Sequence, residues 1–252
     1  MKTRVLFSIA LLPLLFSCAL PKPEIPMTEV PAAPLVRELN LRRGSFAGLK
    51  AVARVETERR GRKRVYESVA FLLKGQEKLR IEGYGPLGES VFSALWDGKD
   101  LMLRTPGEAD SVRTGPWAFE RVLGFPLAPQ ELAAVLSGNV PPVPDGEAAQ
   151  ARCSDDGRCV VEYRRDDARW RVHVVPDAPF RIESCERYRG RDLAYTARFD
   201  AQEMINGHLF PKRITVENAD GKTALTIEYQ DVDVNVPVED GAFVLGGDGA
   251  GI

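Results

Sequence analysis

Histidine is scarce in this 252-residue chain: there are two, His173 and His208. Neither has a serine or cysteine near it in a nucleophile setting. Phosphate loops, dinucleotide fingerprints and metal-helix motifs are missing too. These gaps exclude the common catalytic classes, so the expectation is a protein that is not an enzyme and has no cofactor and no metal. An excess of one charge is also missing. The net charge is −2, from 34 Lys+Arg and 36 Asp+Glu, and nothing steers the chain toward nucleic acid. Long apolar runs are confined to the N-terminus, where Val5–Phe16 is too short to span a bilayer comfortably.

What the N-terminus does hold is a targeting pattern. Lys2 and Arg4 precede the apolar run, and Leu15-Phe16-Ser17-Cys18 follows, with a small residue just before the cysteine as in a bacterial lipobox. Residues 1–17 read as a lipoprotein signal peptide and Cys18 as the lipidated, palmitate-bearing N-terminus. Its acyl chains would hold the membrane at about 0.8 kcal/mol per buried methylene. The alternative is an ordinary cleaved signal with an incidental cysteine. Ala19, not Asp, follows Cys18, which favours the outer membrane and a domain facing the periplasm. Residues 18–34 carry Pro21, Pro23, Pro26, Pro31 and Pro34 and read as an extended tether. From Cys18 to Val36 it could span on the order of 60 Å. A single domain is expected over 35–245, with a flexible tail at 246–252.

Cysteine is sparse in that domain, and the compartment is expected to be oxidising. Cys153 and Cys159 flank Ser154-Asp155-Asp156-Gly157-Arg158, a hairpin turn that can bring facing strand positions within disulfide reach. Cys185 is left as a buried thiol. Zinc spacing is not met.

Two stretches have helical spacing with proline at the start and glycine at the stop: Pro116–Gly124 and Pro129–Gly138. Leu35–Arg43 is a third, shorter one. The rest alternates with the period of strands. The last long strand, Thr223–Asn235, is apolar at Leu225, Ile227 and Tyr229 but then at Val232 and Val234. That change of phase predicts a β-bulge. Arg60-Gly61-Arg62-Lys63 is a basic turn, either a solvated hairpin end or a contact for anionic headgroups. A sheet of about 10–11 antiparallel strands curls. The expected fold is therefore α+β: a curved half-barrel with short helices packed in its concave face as a lid.

The stretch Lys78–Asp97 reads as a hairpin whose turn, Gly85-Pro86-Leu87-Gly88, puts a leucine at its apex. Phe92, Ala94 and Trp96 share one face of the returning strand, while Val91 and Leu95 occupy the other. A sheet apolar on both faces needs cover on both, or a cavity on one. The two readings are a filled core and a greasy cavity for acyl chains. The cavity would be walled by Ile81, Phe92, Ala94 and Trp96 and lidded by Trp117, Phe119, Val122 and Leu123.

The order of lipobox, proline-rich tether, meander, Pro-Leu-Gly loop, helix pair and second meander resembles the LolB-like outer-membrane lipoprotein receptors of the LolA/LolB-like superfamily. The resemblance is tightest in Tyr84–Pro142. It includes Gly85-Pro86-Leu87-Gly88-Glu89-Ser90, Leu123-Gly124-Phe125-Pro126-Leu127 and Leu132–Leu136 with Ser137-Gly138. Phe210-Pro211-Lys212-Arg213-Ile214 adds to it. The resemblance implies a monomer that takes the acyl chains of lipoproteins from a periplasmic LolA-like carrier into a hydrophobic cavity. It implies that Leu87, flanked by Pro86 and Gly88, helps deliver them to the membrane. The chain departs from that pattern in its length, its extra cysteines and a diverged C-terminal half. The same fold also serves other lipid-handling and sensing lipoproteins, so a scaffold or sensor with a filled core stays open.

Overall fold

A computed structural model describes residues 26–105, 111–113, 127–144 and 149–243. The expected signal peptide, Cys18, the first-helix residues Trp117, Phe119, Val122 and Leu123, and the tail at 246–252 lie outside the described residues. In chain order the elements are β1 (Met27–Val30), α1 (Ala33–Gly44), β2 (Gly48–Arg59), β3 (Arg62–Lys74), β4 (Lys78–Tyr84), β5 (Ser90–Trp96), β6 (Leu101–Arg104) and β7 (Ser111–Arg113). Then come α2 (Pro129–Leu136), β8 (Ala149–Ser154), β9 (Cys159–Arg165), β10 (Ala168–Val175), β11 (Arg181–Arg189), β12 (Asp192–Ile205), β13 (His208–Asn218), β14 (Thr223–Val234) and a 3-10 turn (Asp240–Phe243).

All fourteen strands join one antiparallel sheet in the order β1-β8-β9-β10-β11-β12-β13-β14-β2-β3-β4-β5-β6-β7. The outermost strands, β1 and β7, do not pair with each other, so the sheet is open. Two hairpin meanders meet where the last strand, β14, pairs with β2 along its length. This is the expected α+β architecture, extended at both ends of the sheet. One addition overlaps the expected tether: Met27–Val30 pairs with Ala151–Ser154. Its sequence, Met-Thr-Glu-Val, has no strong strand periodicity, and the free edge of β8 supplies the order.

Period-2 alternation puts one residue set on the inner face. Leu49, Ala51, Ala53 and Val55 of β2 face Val69, Phe71 and Leu73 of β3, and all are buried. Leu35, Val36 and Leu39 of α1 and Leu132, Ala133, Val135 and Leu136 of α2 belong to the same core cluster. The helices therefore cover the inner face. On β14 the register shifts between Tyr229 and Asp231, the bulge that the phase change implies.

The outer face is covered over a smaller area. Leu72 and Leu95 pack with Val238 and Phe243 in a separate cluster. Asp240 closes that cap. Lys74 and Lys78 both bond its carboxylate and push its pKa down to about 2. The double-sided apolar character of β5 thus has a partner on each side, helices within and the C-terminal segment without.

Helix α2 is held at both ends by polar side chains of the sheet. Arg187 donates to Glu131 at 2.9 Å and the Tyr195 hydroxyl donates to the same carboxylate at 3.3 Å. At the other end the Tyr229 hydroxyl donates to the Leu136 carbonyl at 2.8 Å. Burial pushes the Glu131 carboxyl above its ordinary range, with Arg187 pulling it back. Removing one partner of such a pair leaves a buried charge uncompensated. Arg187→Met should cost about 3–5 kcal/mol in denaturant unfolding. Adding Glu131→Gln to it should recover most of that loss. Full stability of Arg187→Met would show that the pair does not secure α2.

Candidate functional site

The β4–β5 connection carries the most exposed large apolar side chain among the described residues. Leu87 is 95% exposed. The loop beneath it is bonded together rather than loose. The Gly85 amide donates to the Glu89 carbonyl at 2.8 Å and the Gly88 amide to the Gly85 carbonyl at 3.0 Å. The Glu89 carboxylate folds back and accepts from the Leu87 amide at 3.0 Å. Two glycines make this possible. Gly88 has φ +82, a conformation that costs other L-residues about 1 kcal/mol or more. A Cβ on Gly85 would sit 2.0 Å from the Glu89 carboxylate. Pro86 and Gly88 are therefore turn formers that fix the direction of Leu87.

Below the loop lies the expected cavity wall. Ile81 pairs with Ala94, Gly83 with Phe92 and Leu79 with Trp96, so the four wall residues do share the inner face. Three of them are closed over: Ile81 is 2%, Ala94 1% and Trp96 3% exposed. Phe92 is only half-buried. Its ring lies over Gly83, where a Cβ would fall 2.2 Å from it, and meets Tyr66 edge-on at 5.3 Å between centroids. The wall is thus least covered toward the loop end, at Phe92 and Tyr66. Two cavities lined by described residues lie away from this wall. One of about 690 Å³ sits at the N-terminal edge by Met27, Arg158 and His173. Another of about 510 Å³ runs along α1 by Val36, Arg37 and Leu41.

The residues weighed for chemistry have ordinary partners. His173 is half-exposed and 3.4 Å from Glu186. His208 packs against Phe46, and burial together with Arg42 lowers its pKa. Cys153 and Cys159 face each other in the β8–β9 register and are bonded. Cys185 is a buried free thiol, pushed up to about 12 by desolvation. Among the described residues no cluster of His, Cys, Asp or Glu could hold a metal. No helix there is long and apolar enough to cross a membrane.

A LolA superfamily protein from Nitrosomonas europaea aligns at TM-score 0.58 and 17% identity, over 85% of this chain and 98% of its own. A DUF1329 family protein from Desulfovibrio piger aligns at TM-score 0.61 and 14% identity, over 86% and 98%. A domain from Vibrio parahaemolyticus, described as an outer membrane lipoprotein-sorting protein, aligns at TM-score 0.59 and 12% identity, over 82% and 95%. The chain has the LolA/LolB-like fold. No family model matches its sequence, and no curated protein does. The likeness therefore resides in the shape: an open antiparallel sheet with helices on its inner face.

Sequence pattern alone does not reveal the Phe92–Gly83–Tyr66 stack, because Tyr66 reaches the inner face only through a register shift in β3 opposite Ala53–Val55. The contact predicts a coupling. Gly83→Ala should displace the Phe92 ring and cost about 1–3 kcal/mol in denaturant unfolding. In a Phe92→Ala background the same substitution should cost less. Equal costs in both backgrounds would show that the ring does not rest on Gly83.

Proposed function

We propose that this chain is an envelope lipoprotein that receives acyl chains, of lipoproteins or of lipids, at its inner face and helps place them in a membrane. The outer membrane is the proposed site, with lipid on Cys18 as the anchor, a periplasmic carrier of the same fold as donor and a monomer as the working state. The observation that carries the reading is Leu87. A bonded loop holds a fully exposed leucine outward, although a surface position rewards polar residues. Burying a leucine side chain in hydrocarbon contributes about 1.5–3 kcal/mol. The gain is realised only against an apolar partner, and the half-buried Phe92 and Tyr66 below it offer an apolar path inward. Such transfer needs no cofactor and no catalytic group, since differential burial of hydrocarbon drives it.

A second reading has its own support. Ile81, Ala94 and Trp96 are closed over by the core, as a non-catalytic scaffold or sensor lipoprotein of the same fold would require. Native mass spectrometry of the purified protein separates the two. Bound lipid supports acyl handling, and a lipid-free protein under gentle extraction supports the scaffold.

Leu87→Glu tests the loop directly. Delivery of a lipoprotein to liposomes should fall by about 10–100-fold, the value of one buried leucine. Thermal stability should stay unchanged, because the side chain touches little. Undiminished delivery would remove Leu87 from the mechanism.

A further inference from the structure

The β2–β3 hairpin turns at the same end of the strands as the Leu87 loop, and its two sides differ in charge. Opposed residues of an antiparallel pair share a face. Val55 belongs to the buried inner face and pairs with Tyr66, so Thr57 with Arg64 and Arg59 with Arg62 continue that face outward. Three arginines thus stand on the inner side of the hairpin. All three are exposed. None forms an ion pair among the described residues. The outer side is balanced instead: Glu56 pairs with Lys63, Glu58 stands opposite Lys63, and Glu67 pairs with Arg54. Arg60 and Lys222 lie at the tip, where the Arg60 amide donates to the Lys222 carbonyl at 2.8 Å. Lys222 has Asp220 as its own partner. The whole chain is slightly acidic, so this one-sided basic strip is a local feature and not a reflection of composition.

We propose that the inner side of this hairpin, through Arg59, Arg62 and Arg64, docks on the phosphate-bearing headgroups of an anionic bilayer. The guanidinium fork matches phosphate oxygens, and each basic side chain near such a surface strengthens binding several-fold. An adjacent hairpin presents Leu87. Apolar tip and basic strip together form the two-signal arrangement that stable membrane contact requires. The inference deepens the proposed function by naming the surface that the loop meets.

The test uses the chain from residue 18 onward with Cys18→Ser, which keeps every described element and removes the lipid. It is floated with phosphatidylcholine vesicles containing phosphatidylglycerol, and with pure phosphatidylcholine vesicles. The expected result is preference for the anionic vesicles, weakened by salt. Arg59→Gln, Arg62→Gln and Arg64→Gln together should lower that binding by about tenfold or more. An outer-face triple of equal charge change, Lys50→Gln, Arg198→Gln and Arg213→Gln, should lower it much less. Equal loss in both triples would overturn the proposal in favour of net charge. Unchanged binding of the hairpin triple would overturn it outright. So would suppression by millimolar glycerol phosphate, which would assign the arginines to a free phosphate compound. Uptake of a soluble fluorescent fatty acid by the unmodified chain reports the acyl-binding reading separately, so either idea can fail without the other.

Discussion

An open sheet cannot cover its own inner face. Fourteen strands present an apolar surface that a closed barrel would turn on itself; with β1 and β7 unpaired to each other, helices must do the covering. The rest of the structure follows from how that cover is secured. Leucine and alanine contacts on α2 supply burial, but burial is non-directional and would tolerate sliding. Direction comes from polar pins. Tyr229 holds the Leu136 carbonyl, Tyr163 holds the Pro141 carbonyl, and Arg187 with Tyr195 holds Glu131. The Arg42 guanidinium, from the end of α1, reaches the Gly138, Leu209 and Phe180 carbonyls. Its burial lowers its pKa to about 10, still fully charged at neutral pH. These contacts fix α2 on the inner face, pinned to β9, β11, β12 and β14 and lying against β4.

Fixing α2 limits where the inner face can open. A lid must open, and α2 is bonded at both ends to the sheet it would have to leave. On the proposed reading, space for acyl chains comes from the loop end of β4 and β5, where Phe92 and Tyr66 are only half-buried and where the Leu87 loop begins. The outer cap of Val238 and Phe243 over Leu72 and Leu95 braces β3 and β5 from behind. The loop end is thus the least constrained part of the inner face, while the strands carrying it are among the best supported.

Much of this was legible in the residues. Alternation gave the strands, proline and glycine marked the starts and stops of helices, and the phase change at Tyr229–Val232 marked a bulge that the register shift reproduces. Leu87 stood out because turn formers surround it. Other features were not legible, for physical reasons. Strand β1 borrows its order from the edge of β8, so its own sequence says little. The tyrosine and arginine pins are long-range pairs, with Tyr229 and Leu136 separated by 93 positions, and no local pattern encodes them. The basic turn was visible as charge, but its sidedness depends on the register shift in β3. Without that shift Arg62 and Arg64 would fall on the opposite face.

The ordered start of the sheet also limits how a lipid on Cys18 could work with Leu87. With Met27 paired into the sheet, nine residues, Cys18–Pro26, remain to reach the bilayer. At about 3.3 Å each they extend roughly 30 Å, half the expected reach. Strand β1 begins at the strand end where β3 turns into β4, and the Leu87 loop lies at the other end. A seven-residue strand such as β4 covers about 24 Å. A nine-residue leash and a seven-residue strand are thus of the same order of length. If Cys18 holds the membrane, a leash of that length keeps the domain and its Leu87 loop close to the same leaflet. A second attachment near Leu87 then acts at short range and at high effective concentration. Under that constraint a single leucine with a few arginines is strong enough to choose the orientation of a protein already held there.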